Sequence, residues 1–421
     1  MAEKETQKNK KEEKKIKILN QGTFGCIFRP GITCEGTVDG SEKTITKVQK
    51  SKETSQNEIH ISNILKDING YNRYFAPIKE FCNVDISTIM NDELRKCKFI
   101  EKSEKESKEL NFEINKISYV GKKTLGDYFK DLLIDDKRIN KINFGSKFIF
   151  AFNVLVKGLN KLSNVGVVHH DIKENNIVCK ANTGRPIYID FGLSIDMNLL
   201  DIKDTSYFNA FYTHAPVYPV WCFEINIMNY LLNVIGKDME TVEDILKLPV
   251  SNVQVAEIIK DFLNENETFK YNFDDTEKEE MIKEHVKYLE GFTNQGVFTN
   301  IKWEKIVNEI MKTYKTWDLF SLGSCFLLMI EDFSLQEVID EIPFLKKFEM
   351  ILKNIVSSVP NKRVSTEDCL KELKELEEAS IKEINKLKKI IKERSKNKEL
   401  IEKIRKGYAD SKMKNRLVPT V

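Results

Sequence analysis

A short stretch near the middle of the chain carries residue types that could act on a phosphate group. HHDIKENN occupies residues 169–176, and DFG begins at Asp190, fourteen residues after Asn176. Asp171 can orient a hydroxyl group, and Lys173 can neutralise a phosphate. The amide of Asn176 and the carboxylate of Asp190 supply the oxygen ligands that Mg²⁺ prefers. This spacing is typical of sites for phosphoryl transfer from ATP, and so many parts seldom coincide by chance.

A glycine-rich stretch, NQGTFGCIF, covers residues 20–28 and could bind phosphates. Gly22 and Gly25 would let backbone N–H groups approach phosphate oxygens closely. Asn20 stands where the first glycine of such a loop is usual, and Asn tolerates positive φ better than most residues. A tight hairpin without any function would give the same pattern.

The segment after this loop predicts a lysine–glutamate pair. Residues 42–48 read as a strand that carries Lys47, and Glu53–Asp67 has the periodicity of a helix. Glu58 is the best partner for Lys47, with Glu53 as the second choice. Such a pair would fix the lysine on the α and β phosphates of a nucleotide. Alternatively, Lys47 is one of many surface lysines and the glutamates face solvent.

Further strands are predicted before the chain becomes helical. They lie at residues 16–19, 74–78, 84–90 and 112–119. The charged segment at residues 93–109, between the last two, reads as a solvated loop.

A long buried helix is predicted to lead into residues 169–176. Its apolar residues recur at helical spacing and are Phe144, Phe148, Phe152, Leu155, Val156, Leu159 and Leu162. Asp318 lies at the head of a second apolar segment. A carboxylate in such surroundings needs hydrogen-bond donors, which the backbone of residues 169–176 would supply.

Composition argues against several classes of protein. The 421 residues include 67 basic and 65 acidic ones, so no overall field favours nucleic acid or a membrane surface. No apolar run approaches the roughly 18 residues of a membrane span, and the N-terminus lacks the pattern of a secretory signal. Residues 1–15 form a charge run that predicts a disordered tail. Eight cysteines without C-x-x-C spacing favour a reduced, intracellular protein.

In this order, the motifs resemble those of eukaryotic-type protein kinases over about residues 16–375. Within that superfamily the chain resembles the divergent serine/threonine kinases of large nucleocytoplasmic DNA viruses. The resemblance implies an α+β, two-lobed protein-kinase fold, with a small β-rich N-lobe at 16–120 and a larger, mainly helical C-lobe at 121–375. It also implies ATP and Mg²⁺, with Mn²⁺ as an alternative, and a protein hydroxyl as acceptor. The expected location is cytoplasmic, in a host cell or a virion if the chain is viral.

The resemblance assigns a role to each residue of the central stretch. Asp171 matches the catalytic base, and Lys173 matches the lysine that contacts the transferred phosphoryl group in serine/threonine kinases. Asn176 and Asp190 match the two Mg²⁺ ligands. In the nucleotide site, Asn20, Gly22 and Gly25 match the phosphate-binding loop, and Lys47 and Glu58 match the ion pair. Ile27 and Ile45 match the residues above the adenine ring, and Val178 matches the residue below it. The backbone of Ser118 and Val120 matches the hinge that hydrogen-bonds adenine, and Ile117 lies at the position that controls the depth of the pocket.

Two departures from the family pattern affect regulation. His170 stands where many kinases have the arginine that receives a phosphorylated activation loop. Because histidine has a reference pKa near 6.5 and is mostly neutral at pH 7, we predict that activity does not depend on such phosphorylation through His170.

Ser62, four residues after Glu58, places a polar group where an apolar one is expected. Either the helix register differs, or the active conformation is less firmly locked.

A third departure concerns the A-P-E motif that should close the activation segment. Residues 215–217 and 218–221 compete for this position, and neither supplies the glutamate. Arg363 resembles the buried arginine that pairs with this glutamate in the family. Since a buried arginine without an anion is costly, a carboxylate should lie near it, and Glu224 is the candidate.

A helical insertion is predicted at residues 223–312, with helical patterns at 242–248, 253–263 and 278–289. It would lie beside the surface that binds acceptor proteins in the family. Two interpretations remain open, a docking surface for a partner and a packed helical addition.

The C-terminal extension, residues 376–421, is rich in Lys and Glu and has helical periodicity. It predicts a docked amphipathic helix or a short coiled coil. The basic end at residues 412–416 could contact nucleic acid or an anionic surface, although charge runs are usually only solvated.

Two other functions are compatible with the motifs. A pseudokinase would bind nucleotide without turnover; Asn20, Ser62 and the missing A-P-E argue for it, whereas the complete set of catalytic residues argues against it. A small-molecule phosphotransferase shares the His-x-Asp core. Lys173, the DFG tripeptide and the block from Asp318 to Arg363 favour a protein as acceptor.

Overall fold

The computed structural model of the chain is α+β, with a β-rich N-terminal part and a mostly helical C-terminal part. It describes residues 15–22, 25–49, 53–106, 110–132, 138–200, 210–292, 301–357 and 359–414. The tail predicted at residues 1–15 lies outside these ranges except for its last residue, and so does the end of the basic segment at 412–416.

The N-terminal part is built on an antiparallel sheet that packs against one long helix. Its elements are β1 Lys17–Gln21, β2 Cys26–Arg29, β3 Thr44–Gln49, helix α1 Glu53–Asp67, β4 Ile78–Asp85 and β5 Asn111–Ser118. The strand order is β1-β2-β3-β5-β4. Because successive residues point to opposite faces of a sheet, Phe28, Val48 and Ile114 enter a core on one face while Lys47 lies on the other, toward α1.

The predicted strands at residues 74–78 and 84–90 are wrong. A single strand, β4, runs from the last residue of the first predicted strand to the second residue of the other. Most of its residues are exposed, so the apolar alternation that marks a strand is weak there. Phe75 joins the C-terminal core instead, where its ring contacts those of Tyr188 and Phe191. The strands predicted at 16–19, 42–48 and 112–119 are confirmed as β1, β3 and β5, and the helix predicted at Glu53–Asp67 is confirmed as α1.

The charged segment at residues 93–109 is not a solvated loop. It contains two short helices, α2 Asp92–Arg95 and α3 Lys98–Lys105. Three apolar residues at a spacing of three are fully buried under the sheet, namely Leu94, Cys97 and Ile100. The abundant charges lie on the outer faces of these helices and obscure this stripe in the sequence.

Four of the eight cysteines form disulfides, so the prediction of a fully reduced protein is wrong. Cys26 in β2 is bonded to Cys97 before α3, and Cys34 is bonded to Cys82 in β4. The partners are 71 and 48 residues apart, a separation that local spacing cannot reveal. The other four cysteines are free and buried. An intracellular location therefore loses its support from cysteine usage and stays a prediction.

The C-terminal part is arranged around α5. Its first elements are β6 Lys123–Thr124, α4 Leu125–Lys130, α5 Arg138–Asn164, β7 Val167–Val168, β8 Ile177–Cys179, β9 Pro186–Tyr188 and β10 Ile195–Asp196. All seven apolar residues of the predicted stripe in α5 are buried, which confirms that helix. Within it, Asn140–Asn164 is long and apolar enough to cross a membrane, but 72% of its apolar window is buried inside the protein, as in a core helix.

The insertion is helical and packed. Its helices are α6 Phe223–Tyr230, continued by a π turn at Leu231–Ile235, α7 Val242–Leu246, α8 Asn252–Glu265, α9 Glu267–Asn272, α10 Asp275–Glu290 and α11 Trp303–Met311. The three helices predicted within residues 223–312 are confirmed as α7, α8 and α10. Their buried side chains belong to the same hydrophobic core as those of α5.

Four helices complete the chain: α12 Trp317–Asp332, α13 Gln336–Glu341, α14 Pro343–Ile355 and α15 Thr366–Lys414. The last helix begins before the boundary expected at residue 375 and crosses it without a break. Its first part docks on α5, where the Thr366 hydroxyl donates to Asn160 Oδ1 at 2.9 Å.

Candidate functional site

The loop at residues 169–176 is anchored by Asp318 at the start of α12. Its carboxylate accepts hydrogen bonds from the backbone N–H groups of His169 at 2.6 Å and His170 at 3.0 Å. This confirms the prediction that the loop backbone satisfies Asp318. Burial raises the pKa of Asp318, although the two N–H donors act in the opposite direction. The contact fixes a backbone in which His170 has a φ of 67°, a conformation that is rare for a residue other than glycine.

Asp171 is the centre of a tight hydrogen-bond cluster. Lys173 Nζ lies 3.0 Å from Oδ1 and 2.9 Å from Oδ2, and Asn176 Nδ2 donates to Oδ2 at 2.8 Å. Burial would raise the pKa of Asp171, but hydrogen bonds from Tyr218 and Lys173 outweigh it and hold that pKa below its usual value. Asp171 is therefore ionised at neutral pH, as a group that takes up a proton must be.

Tyr218 belongs to this cluster, which the sequence did not predict. Its hydroxyl donates to Asp171 Oδ1 at 2.6 Å and accepts from Lys173 Nζ at 3.3 Å. Forty-five residues separate it from Lys173 in the chain. In the sequence, Tyr218 stands out only as part of a possible A-P-E stretch, and no local signal connects it to Asp171.

Lys47 forms the opposite side of the site. Its Nζ lies 2.8 Å from Glu58 Oε2 and 3.2 Å from Asp190 Oδ1. Burial alone would lower the pKa of Lys47, but the two carboxylates raise it above its usual value, so the amine is charged at neutral pH. The contact assigns the partner role to Glu58 rather than to Glu53, which is the first residue of α1.

Helix α1 is tied to the segment that follows Asp190. Asn57 Nδ2 donates to the carbonyl oxygens of Gly192 at 3.3 Å and Ser194 at 2.7 Å. Ser62, which the sequence singled out, accepts a hydrogen bond from the Ile78 N–H at 3.0 Å. The Ser62 hydroxyl therefore satisfies the first backbone N–H group of β4.

The predicted metal ligands come to the same place as these groups. Lys47, Asp171 and Asp190 line one cleft, and Asn176 is bonded to Asp171. Asn176 uses Nδ2 for its bonds to Asp171, which leaves Oδ1 as the amide atom for a cation. Asp190 adopts a φ of 61° and its side chain is 42% exposed. One carboxylate and one amide oxygen fit Mg²⁺, which usually keeps several waters. In the described ranges, no group of three or more His, Cys, Asp or Glu side chains could hold a metal.

The glycine-rich stretch differs in detail from the prediction. A side chain at Gly25 would place its Cβ 2.5 Å from the carbonyl oxygen of Val48, so close packing of β2 on β3 requires this glycine. Gly22 faces open space, and its N–H donates to the Gly25 carbonyl at 2.9 Å. Asn20 lies within β1 and does not adopt a positive φ, so its tolerance of that conformation is not used.

The side chains predicted to contact adenine lie in two different sheets, with β2 and β3 paired in one and β8 in the other. Ile27, Ile45 and Val178 are half-buried in β2, β3 and β8. Ser118 and Val120 line a second cleft, of about 660 Å³, whose described lining shares no residue with the cleft at Lys47. The N–H of Tyr119 between them donates to the Lys43 carbonyl at 2.8 Å and is not free to bind a base.

A buried ion pair joins Glu224 of α6 to Arg363, which confirms the candidate inferred from the sequence. The side chains are 0% and 1% exposed. Thr313 and Trp317 also donate to Glu224, at 2.6 Å and 3.2 Å. The carboxylate that no A-P-E motif supplies thus comes from the first turn of α6.

His170 is neutral, as the sequence predicted. It is buried, its ring stacks on Trp221, and burial lowers its pKa to about 4. A neutral ring cannot serve as a cationic clamp for a phosphate.

No protein-family model matches the chain, and no curated protein shows significant similarity to it.

Proposed function

We propose that the chain is an ATP-dependent serine/threonine protein kinase with the two-lobed fold of that family. The observation that carries the proposal is the cleft in which Lys47 faces Asp171 and Asp190. Lysines on both sides of a group of carboxylates suit a metal-bound triphosphate, because phosphoryl transfer depends mainly on charge placed around the phosphates.

Each side chain then has a defined task. Asp171 would accept the hydrogen bond of the acceptor hydroxyl, and Lys173 would turn from Asp171 to the transferred phosphoryl group. Lys47, held by Glu58, would bind the α and β phosphates. Mg²⁺, or Mn²⁺ in its place, would be held by Asn176 and Asp190 and would neutralise phosphate charge.

A groove beside Lys173 supports a protein acceptor. It has a volume of about 330 Å³, and its apolar walls include Val217, Pro219, Val220, Leu328 and Met329. A side chain next to the acceptor hydroxyl of a polypeptide would find a place there. A small-molecule phosphotransferase stays the alternative, since the lining also includes Glu174, Glu267 and Asp332, whose carboxylates would suit a basic side chain of a polypeptide or a small cationic acceptor.

An assay with radiolabelled ATP and generic basic and acidic proteins tests the proposal. The wild-type chain should transfer label, and Asp171→Asn should reduce the rate by at least about 100-fold, the usual lower range for general base catalysis. Equal incorporation by the variant would show that a contaminant is responsible.

A pseudokinase is the second candidate, because the contact of Lys47 with Asp190 Oδ1, at 3.2 Å, competes with a metal for one oxygen of that carboxylate. Thermal unfolding separates it from an inactive preparation. A nucleotide that binds the folded state raises the melting temperature. A rise with ATP and Mg²⁺ but no transfer of label would favour the pseudokinase.

A further inference from the structure

The segment at residues 211–221 runs past Asp171, and side-chain donors hold its backbone carbonyl groups. Five side chains, from the π turn after α6, the start of α9 and helix α12, lie within hydrogen-bond distance of the carbonyls of Phe211, Tyr218, Pro219 and Val220. These are Asn233 to Phe211 at 2.9 Å, Asn266 to Tyr218 at 2.9 Å, Thr268 and Ser324 to Pro219 at 3.3 and 2.8 Å, and Ser321 to Val220. Such bonds fix the path of the segment without any modification of it.

Three of these donors belong to the insertion. Asn233 lies in the π turn after α6, and Thr268 lies in α9. Asn266 is fully buried, and its two amide atoms have separate tasks. Oδ1 accepts the Thr268 N–H at 3.1 Å and caps α9, while Nδ2 holds Tyr218. The insertion therefore sets the position of the Tyr218 backbone.

The Tyr218 hydroxyl takes one of the places on the Asp171 carboxylate. A carboxylate offers about four lone-pair sites. Lys173 contacts both oxygens, Tyr218 contacts Oδ1 and Asn176 contacts Oδ2. If Lys173 turns to a phosphoryl group, Tyr218 and Asn176 still hold one oxygen each. The sites that Lys173 leaves then become available to an acceptor hydroxyl.

We propose that Tyr218 is a positioning residue of the acceptor site, and that the insertion holds it there through Asn266 and Thr268. Tyr218 orients the carboxylate of Asp171 together with Asn176, and the insertion keeps the segment at residues 211–221 ordered. The inference rests on the proposed kinase function. The proposal gives the insertion at residues 223–312 a role in the acceptor site itself. This role differs from both interpretations offered by the sequence, a docking surface for a partner and a packed helical addition.

Tyr218→Phe removes only the hydroxyl and tests the first half of the proposal. Loss of a hydrogen bond to a charged group should lower kcat by about tenfold to 100-fold. Because the Tyr218 hydroxyl lowers the pKa of Asp171, its removal raises that pKa, and the acidic limb of kcat/KM against pH moves to higher pH. The rise in melting temperature with ATP and Mg²⁺ should be unchanged, since Tyr218 does not line the cleft at Lys47.

Tyr212→Phe is the matched control. The ring of Tyr212 also packs edge-on against that of Trp221, with 6.3 Å between the ring centroids compared with 5.0 Å for Tyr218. In contrast to Tyr218, Tyr212 is 47% exposed and does not hydrogen-bond Asp171. Its rate and pH profile should match those of the wild type. The proposal would be overturned if Tyr218→Phe had the rate and pH profile of the wild type, or a higher rate. This outcome counts only if Tyr218→Phe still binds nucleotide and Asp171→Asn is still inactive in the same assay.

Asn266→Ser tests the role of the insertion. Serine keeps an oxygen that can cap α9 but loses the amide that reaches Tyr218. We expect a higher KM for the protein acceptor and a shift of the acidic limb in the same direction as in Tyr218→Phe. An unchanged KM and profile in a variant with wild-type melting temperature would refute this half. If the wild-type chain showed neither nucleotide binding nor Asp171-dependent transfer of label, the proposed function would be refuted. The inference about Tyr218 would then fail with it.

Discussion

Lys47 lies among more negative than positive groups. Glu58 and Asp190 both contact it, and Glu113, buried beneath α1, adds a further negative charge that acts on Glu58. Glu113 itself accepts hydrogen bonds from Gln49 and Ser55. Such an excess of negative charge is suited to a site that receives a divalent cation together with a phosphate chain.

The contact between Lys47 and Glu58 predicts a difference between two glutamates of the same helix. Glu58→Gln should lower kcat/KM for ATP by about tenfold or more, because a charged hydrogen bond in a buried site is lost. Glu53→Gln, at the first residue of α1, should leave kcat/KM unchanged and is the matched control, since Lys47 is already paired with Glu58 and Asp190. Steady-state kinetics with varied ATP measures both. Equal losses in the two variants would show that the pair does not act on the nucleotide.

At the scale of elements, sequence periodicity predicted the helices that bury a broad apolar face. Helix α1 has the predicted limits, and α5 buries every residue of its predicted stripe. Glu224 could be predicted as the partner of Arg363, because a buried arginine needs an anion. Helices α2 and α3 were missed because each is short and mostly charged, and their apolar residues become significant only when packed under the sheet.

Contacts between distant residues explain the other omissions. Tyr218 reaches Asp171 because the insertion holds its backbone, and no spacing in the sequence encodes that path. The disulfides likewise join residues 71 and 48 positions apart. Motif spacing identifies groups that act within one loop, whereas these partners are brought together only by the fold.

The disulfide between Cys26 and Cys97 ties the strand after the glycine-rich stretch to α3. In the chain-entropy model, closing a loop of this length stabilises the fold by about 4 kcal/mol. The paired variant Cys26→Ser with Cys97→Ser should lower the free energy of unfolding in urea by about 2–4 kcal/mol. The pair Cys34→Ser with Cys82→Ser should behave similarly.

Reduction of the wild type gives the control for this prediction. Dithiothreitol should lower its stability toward that of a chain without either bridge, and should not affect a variant that lacks all four cysteines. Thiol labelling followed by mass spectrometry identifies the bonded residues directly. Labelling of Cys26, Cys34, Cys82 and Cys97 in the folded, unreduced protein would contradict the pairing.

At the scale of the whole molecule, one core extends from α5 through the insertion to the start of α15. Cys369, Leu373 and Leu376 of α15 are buried in it, and Ile384 is partly buried. Farther along, Ile401 is 51% exposed. The extension predicted as a docked helix is therefore docked over its first turns, whose described side chains contribute to the core.

Two truncations should separate these parts of α15. Removal of residues 390–421 leaves Cys369, Leu373, Leu376 and Ile384 in place and should leave the melting temperature within about 2 °C of the full chain. Removal of residues 366–421 exposes the surface covered by three buried side chains, each worth about 1.5–3 kcal/mol, and should lower the melting temperature strongly or prevent folding. A large loss in the shorter truncation would mean that the part of α15 after residue 389 has a stabilising partner, such as a second copy of the chain. In that case the loss should depend on protein concentration, because association stabilises by mass action.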